Sequence, residues 1–234
     1  IQDGDTFYYG QVVKDAKAIT SWRTADEAFK IRAIYEEVES FNAANSRFKK
    51  GMAVMPICFG ISFTSTFLNQ ASALIHIYTD GSVSVSTAAV EMGQGVNQKI
   101  KTVVARTLSV SQSRITIEST NTTRIANTSP TAASSGADLN GNAAMLAAKE
   151  LKKRLLSVAA SILKAEVEAL NIDDEVVTLH GEKTDIVWSS LISSAYLGRV
   201  SLSAQAFYAT PGIHFDRTIN KGTPFAYHVY GTSI

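Results

Sequence analysis

The spacing of apolar residues first follows a helical period and then a strand-like one. Over residues 24–44 apolar side chains recur on one helical face, and Thr24 with Glu27 has the spacing of a capping box. Downstream the period becomes two or continuously apolar, which predicts a long strand over residues 52–63 that Pro56 interrupts. The pattern therefore predicts a change from helix to sheet within the first quarter of the chain.

A β-hairpin gives the clearest signal in the strand-like part. Residues 73–78 and 82–86 alternate apolar and polar positions on either side of Thr79-Asp80-Gly81. Asp-Gly between two alternating runs favours the tight turns that join antiparallel strands. These two segments are therefore predicted to pair with each other.

Two further helices each follow a short loop of small residues. The first loop is Glu-Met-Gly-Gln-Gly at 91–95, and apolar residues then recur at helical spacing from Val96 to Leu108. The second loop covers residues 128–136 and precedes a helix predicted over residues 137–168. The remaining predicted elements are strands at 115–117, 176–180, 186–188, 201–208 and 225–230, and a short helix from a Ser189 cap to Leu197.

The order of these elements predicts the fold class and the domain organisation. Strands and helices interleave with hairpins, which is typical of an α+β fold with mixed, largely antiparallel sheets and helices packed on one face. Residues 1–50 are interpreted as an N-terminal connecting segment with a helix, and residues 51–234 as one domain.

The two loops share a geometry that suits an anion. A strand-like stretch, a turn of small residues and a helix start would point several backbone N–H groups, and the positive end of a helix dipole, at one volume. Phosphate is a natural ligand of such a site, and small side chains let it approach the main chain closely. Well-capped helix starts without any ligand explain the same loops on local physics alone, so both alternatives stay open.

Composition excludes several classes of protein. The 234 residues carry a net charge of +1, without a long basic run, so nucleic acid is not expected as a partner. No apolar stretch is long enough to cross a bilayer, and the start has no signal-peptide pattern. The single cysteine, Cys58, lies in an apolar run and is expected to be a buried, reduced thiol, consistent with a cytoplasmic location.

No residue pattern here predicts a protein-ligated metal or a catalytic group. The four histidines are scattered without metal-ligand spacing, and no nucleophile elbow, Walker loop or Rossmann fingerprint occurs. Glu91 lies beside the first loop, but a glutamate at the end of a strand more often binds the backbone than acts in catalysis. We therefore expect no catalytic residue and no metal ligand in this chain.

Five segments resemble, in order and close to the expected spacing, the molybdenum hydroxylases, that is, the xanthine dehydrogenase and aldehyde oxidase family. The similarity is strong over residues 51–155, weaker over 201–208 and 224–231, and closest to the xanthine dehydrogenase branch. The matching segments are 59–63 (Phe-Gly-Ile-Ser-Phe), 67–71 (Phe-Leu-Asn-Gln-Ala), 77–83 (Ile-Tyr-Thr-Asp-Gly-Ser-Val), 91–95 (Glu-Met-Gly-Gln-Gly) and 127–134 (Asn-Thr-Ser-Pro-Thr-Ala-Ala-Ser).

The resemblance implies roles for two groups of residues. Six of them match the loops that bind the molybdopterin cofactor: Met92, Gly93, Gln94, Ala133, Ser134 and Ser135. Five match residues of the substrate pocket: Phe63, Thr64, Leu68, Ala132 and Ala133. The Ser135-Gly136 pair departs from the commonest xanthine dehydrogenase pattern. The resemblance places the family's catalytic glutamate beyond Ile234, which argues against Glu91 in that role.

The resemblance also implies a function for the larger enzyme. Residues 51–234 would be part of a molybdopterin-binding domain, a fragment incomplete at both ends, in a cytoplasmic oxidoreductase that hydroxylates a purine such as xanthine or hypoxanthine with water-derived oxygen. The 2Fe-2S clusters and FAD would lie on other domains or subunits, and the complete enzyme would be an oligomer. The isolated chain is expected to be inactive. The alternatives are an aldehyde oxidase-type hydroxylase and a scaffold or interaction domain without a ligand.

Overall fold

The computed structural model describes all residues from Ile1 to Ile234, which form five α-helices and eleven β-strands. The helices are α1 (Ala18–Phe29), α2 (Ile31–Ala44), α3 (Val96–Leu108), α4 (Gly136–Leu163) and α5 (Trp188–Leu197). The strands are β1 (Met55–Ile61), β2 (Gln70–Ile77), β3 (Val83–Thr87), β4 (Ile115–Ile117), β5 (Leu170–Asp173), β6 (Val176–Leu179), β7 (Glu182–Val187), β8 (Ser203–Ala209), β9 (His214–Asp216), β10 (Lys221–Thr223) and β11 (Tyr227–Ser233).

The chain divides into two compact units. Unit 1 contains Ile1–Thr66 and Pro211–Ile234, and unit 2 contains Phe67–Thr210. These units describe packing within the chain. The boundary expected between residues 50 and 51 concerns the limits of a cofactor-binding domain, and it stays a prediction.

Unit 1 contains two helices where the sequence predicts one. Lys30 adopts a left-handed conformation, with φ of 51°, and this residue both ends α1 and precedes α2. Thr24 lies inside α1, so the predicted capping box with Glu27 is wrong. The residue between α1 and α2 is neither glycine nor proline. The spacing of apolar residues therefore predicts one continuous helix.

A two-stranded antiparallel sheet forms the other main part of unit 1. Strands β1 and β11 pair from Met55 opposite Ser233 to Ile61 opposite Tyr227. Pro56 lies in β1, whose second edge is unpaired, and a strand tolerates proline at such an edge. The burial predicted for Cys58 is wrong: its side chain is exposed, because a two-stranded sheet covers little of an apolar strand.

Unit 2 is built on a four-stranded sheet with the order β4-β3-β2-β8. The predicted hairpin is confirmed, since β2 and β3 pair antiparallel from Ile77 opposite Val83 to Ala73 opposite Thr87. Strand β8 is antiparallel to β2, whereas the short β4 is parallel to β3. Alternate residues of β2 are buried, which is the pattern of a sheet with one covered face.

Helices α3 and α4 pack on the covered face of this sheet and form the core with it. Ile75 of β2, Val85 of β3, Ile100 of α3 and Leu151 of α4 are all completely buried. The predicted α+β class, with largely antiparallel sheets and helices on one face, is therefore confirmed. Burial of these apolar side chains supplies most of the driving force for folding this unit.

A second, smaller sheet in unit 2 has the order β5-β6-β7 and is followed by α5. Helix α4 ends at Leu163, before Lys164 in a left-handed conformation, so the helix predicted to residue 168 is too long. The cap predicted at Ser189 is also wrong, because α5 begins at Trp188 and its N-cap residue is Val187. The short strands β5, β9 and β10 have no counterpart in the sequence-based prediction.

Candidate functional site

The two loops of small residues line one cavity of unit 2, with a volume of about 330 Å³. The first loop and the start of α3 contribute one wall, and the second loop with the start of α4 contributes the other. The residues that line the cavity are Met92, Gln94, Val96, Lys99, Thr131, Ala132, Ser134, Gly136 and Ala137. Two loops that are separated by more than thirty residues in the sequence therefore meet at one site.

Glu91 fixes the backbone of the first loop. One carboxylate oxygen accepts hydrogen bonds from the N–H groups of Gly93 and Gly95, at 3.0 and 2.8 Å. The other oxygen accepts from the N–H of Asn97 in the first turn of α3, at 3.0 Å. These backbone hydrogen bonds, led by the one from Asn97, hold the pKa of the Glu91 carboxyl below its usual range.

This arrangement changes the interpretation of the first loop. An anionic ligand is one of the two alternatives for the N–H groups at the start of α3, but the carboxylate of Glu91 accepts hydrogen bonds from three N–H groups of this region. A negative charge near the N-terminus of a helix also interacts favourably with its dipole. Glu91 thus binds the backbone, as the sequence analysis expects of a glutamate at this position.

The side chain of Gln94 also bonds to its own loop. Its Oε1 accepts from the N–H of Met92 at 2.6 Å, and its Nε2 donates to the carbonyl of Val90 at 2.8 Å. A glutamine amide carries two N–H donors and two acceptor lone pairs, so one of each is left for another group. Gln94 can therefore line the cavity with a fixed orientation and still hydrogen-bond a ligand there.

The second loop is held by contacts of a different kind. The hydroxyl of Thr131 accepts from the N–H of Val90 at 2.9 Å, which ties the second loop to the residue just before the first. Ala133 and Ser134 both have positive φ, at 52° and 55°, a conformation that costs energy in residues with a Cβ. Ser135 is buried, and its hydroxyl donates to the carbonyl of Ala132 at 3.0 Å.

The start of α4 differs from the start of α3. No side chain accepts a hydrogen bond at its N-cap, and Gly136 and Ala137 of its first turn line the cavity. The first N–H groups of a helix have no acceptors within the helix. A Cβ on Gly136 would lie 3.1 Å from Cγ2 of Thr131, so the glycine keeps this side of the cavity open.

Lys99 is a cavity residue that sequence reasoning missed. The spacing of α3 assigns it to the solvated face, together with Gln98 and Lys101. In the structure Lys99 is exposed, as this predicts, and it also lines the cavity. Its position one turn into the helix that follows the first loop is a usable signal. A cation within a turn of a candidate anion-binding loop can reach the same ligand.

The predicted cofactor-binding residues separate into two sets. Met92, Gln94 and Ser134 line the cavity, whereas Gly93, Ala133 and Ser135 belong to the same loops without forming its wall. The assignment of all six to a cofactor stays a prediction.

Only part of the predicted substrate pocket belongs to this cavity. Ala132 lines it, Ala133 belongs to the same loop without lining it, and Leu68 lies elsewhere in unit 2. Phe63 and Thr64 are half-buried residues of unit 1. The role of these residues in substrate binding stays a prediction.

No three side chains of His, Cys, Asp or Glu are grouped so that they could hold a metal ion. None of the helices combines the length and the apolar character that a membrane span requires.

Comparison with known structures identifies the class of fold. Quinoline 2-oxidoreductase from Pseudomonas putida 86 superposes with a TM-score of 0.72 at 20% identity, over 88% of this chain and 28% of that one. Cu,Mo-CO dehydrogenase gives a TM-score of 0.75 at 18% identity, over 96% of this chain and 29% of that one. The chain therefore has a fold that occurs as part of these larger oxidoreductases.

Comparison of sequences identifies the family. The family model of the molybdopterin cofactor-binding domain matches residues 24–234, and the chain belongs to this family. Xanthine dehydrogenase/oxidase of Gallus gallus is 37% identical over 231 residues, which are 99% of this chain and 16% of that protein. Xanthine dehydrogenase of Oryza sativa subsp. japonica is 35% identical over 99% of this chain and 15% of that protein. The chain thus spans about a sixth of the curated relatives it matches.

The residues of the cavity fit a polar, anionic cofactor. Lys99 supplies a positive charge, Gln94 an amide with spare hydrogen-bonding capacity, and Ser134 a hydroxyl. The open side at Gly136 brings main chain to the cavity surface, where a side chain would narrow the space. A phosphate-bearing group such as molybdopterin matches this donor set.

Proposed function

We propose that this chain is part of the molybdenum-binding region of a xanthine dehydrogenase-like oxidoreductase that hydroxylates a purine with water-derived oxygen. The observation that carries the proposal is the single cavity lined by both loops, in a chain whose curated relatives are named xanthine dehydrogenase. The 2Fe-2S clusters, FAD and the catalytic glutamate would lie elsewhere in the complete enzyme, which we expect to be a cytoplasmic oligomer.

The residues of this chain would bind and orient the cofactor. Lys99 and Ser134 would hold its anionic oxygens, and Gln94 would hydrogen-bond its polar edge from an orientation fixed by Met92 and Val90. When bound, molybdopterin would supply the molybdenum and the redox chemistry of the hydroxylation. Because the cofactor brings its own metal ligands, the protein's part is to position the cofactor and to hydrogen-bond it.

The two alternative functions, a scaffold without a ligand and an aldehyde oxidase-type hydroxylase, are less well supported. Membership of a cofactor-binding family favours a cofactor-binding role over a scaffold without a ligand. The likeness to solved structures, at 18% and 20% identity, concerns the fold and gives no preference for an aldehyde substrate.

The test uses the full-length protein that contains this chain. We expect molybdenum and pterin in about equal amounts per protein, and faster turnover of xanthine or hypoxanthine than of aldehydes. Full-length protein without pterin would contradict the cofactor role. Turnover of aldehydes alone would contradict the purine assignment and leave the cofactor role intact.

The isolated chain is expected to be inactive. It contains no placed general base, because Glu91 is engaged by three backbone N–H groups that favour its ionised, hydrogen-bonded form. The measurement adds molybdenum-loaded molybdopterin, xanthine and a soluble two-electron acceptor to the purified 234-residue chain and follows urate formation. The full-length enzyme is the positive control, and urate formed by the isolated chain would contradict the expectation.

Phe63→Ala in the full-length enzyme is expected to lower kcat/KM for xanthine while leaving the cofactor content nearly unchanged. Loss of an aromatic wall from the pocket of a flat heterocycle costs about 1–3 kcal/mol in transition-state binding. The exposed Phe67 provides the matched control, and Phe67→Ala should leave kcat/KM close to that of the wild type. If Phe63→Ala instead unfolds the protein or removes molybdenum, the half-buried Phe63 has a packing role and the pocket assignment is wrong.

A further inference from the structure

Glu91 belongs to the first loop of the cavity without lining it, and it takes no part in the proposed chemistry. Its two oxygens accept from three N–H groups between Gly93 and Asn97, as described above. We propose that Glu91 is a positioning residue that holds the loop 91–95 in the shape required for cofactor binding. The inference rests on the proposed function, because it assigns a role in the same site.

The loop needs such a restraint because of its glycines. Gly93 and Gly95 have φ of 98° and 75°. Glycine adopts such values at little cost, but it changes to other backbone conformations at equally little cost. Gln94, the residue between them, carries the side chain that lines the cavity. By bonding the N–H groups of both glycines, Glu91 fixes the backbone on either side of Gln94.

Glu91 also connects the loop to the helix. Its second oxygen bonds Asn97, in the same first turn as Val96, whose buried side chain contacts the core and lines the cavity. Loop and helix therefore keep one relative geometry through a single carboxylate. Residues that orient a ligand-binding group through hydrogen bonds typically change affinity 10- to 100-fold when replaced, as the outer-shell partners of metal ligands do.

The hydrogen bonds that Glu91 accepts from backbone N–H groups argue for a positioning role and against acid–base catalysis. A general acid or base must exchange a proton with substrate, whereas the oxygens of Glu91 accept hydrogen bonds within its own loop and the first turn of α3. The ionised form is the one these bonds favour. The carboxylate therefore acts through the loop and not on the reacting atoms.

Glu91→Gln in the full-length enzyme tests the proposal. The amide keeps the size of the side chain but replaces one acceptor oxygen by an NH₂ donor, which opposes a backbone N–H. We expect release of molybdopterin about tenfold faster than from the wild type, by analogy with outer-shell partners of metal ligands. The molybdenum that remains should show a shifted electron paramagnetic resonance spectrum when it is reduced by one electron.

Glu175→Gln is the matched control. The carboxylate of Glu175 also accepts from a backbone N–H, that of Ser111 at 2.9 Å, and it pairs with Arg114 at 2.7 Å, but its partners lie outside the two loops of the cavity. This variant should lose stability without faster cofactor release or a changed spectrum. Melting of the cofactor-free forms shows how much stability each variant has lost.

The possible outcomes separate the two proposals. Faster release and a shifted spectrum in Glu91→Gln alone support the positioning role. An unchanged release rate, an unchanged spectrum, or an equal effect in Glu175→Gln overturns it, while pterin in the wild type leaves the proposed function standing. Absence of pterin from the wild type overturns the proposed function, and the positioning role with it.

Discussion

Replacing Trp188 by alanine is expected to destabilise unit 2 by about 3–5 kcal/mol, the usual cost of truncating a buried aromatic side chain. Trp188 is 1% exposed, and its indole N–H donates to the carbonyl of Gly81 at 2.8 Å. The substitution would leave a cavity and also remove the partner of a buried carbonyl. Gly81 lies in the turn between β2 and β3, so the contact joins α5 to the hairpin of the main sheet.

Hydrogen exchange of the full-length protein measures this effect locally. The amides of β2 and β3 should exchange faster in Trp188→Ala, by the factor that corresponds to the lost free energy. The chain offers a matched control in its other tryptophan, Trp22, which is 42% exposed in α1. Trp22→Ala should leave exchange in the hairpin unchanged. Equal exchange of the β2 and β3 amides in the two variants would contradict the predicted destabilisation of unit 2.

The elements that the sequence predicts correctly depend on local interactions. In the hairpin turn, the N–H and the hydroxyl of Ser82 both donate to the Asp80 carboxylate, at 2.9 and 2.7 Å. These bonds lower the pKa of Asp80 and fix the turn through residues close to each other in the sequence, so the turn carries a local signal although Trp188 also contacts it. Helix α3 is likewise predictable, since its buried residues recur at helical spacing between Val96 and Leu108.

The elements that the sequence predicts incorrectly depend on tertiary contacts or on unusual backbone geometry. Lys30 and Lys164 adopt left-handed conformations that lysine seldom takes, so the ends of α1 and α4 carry no signal. The burial of Cys58 depends on what covers β1, and an apolar sequence gives no information about that cover. Propensity and periodicity describe an element but not its surroundings.

The candidate site shows the same division. The loop of Glu91 is predictable because its hydrogen bonds lie within seven residues of sequence. The place of Lys99 is not, because the face of α3 that meets the second loop is set by the packing of α3 against α4. The sequence therefore predicts only that Lys99 is solvated, and the structure is needed to show that Lys99, Ser134 and Gly136 line the same cavity.

Lys99→Met in the full-length enzyme is expected to weaken cofactor binding about 10- to 150-fold. A hydrogen bond to a charged group is worth roughly 1.5–3 kcal/mol, and each 1.4 kcal/mol corresponds to a factor of ten in affinity. Methionine keeps most of the apolar stem and removes the charge, so the packing of α3 should change little. The measurement is the molybdopterin content after dialysis, together with the rate of cofactor release.

Lys101→Met is the control for Lys99→Met, because Lys101 lies two residues further along α3 and does not line the cavity. Ionic strength supplies a second criterion that separates a charge effect from a packing effect. If Lys99 binds an anionic oxygen of the cofactor, added salt should speed release from the wild type and from Lys101→Met, since salt screens such pairs. Release from Lys99→Met should respond less to salt, because the charge is already absent. Equal cofactor content and equal salt dependence in both variants would contradict a role for Lys99 in holding the anionic group, and the main chain and hydroxyl of the second loop would then have to hold it alone.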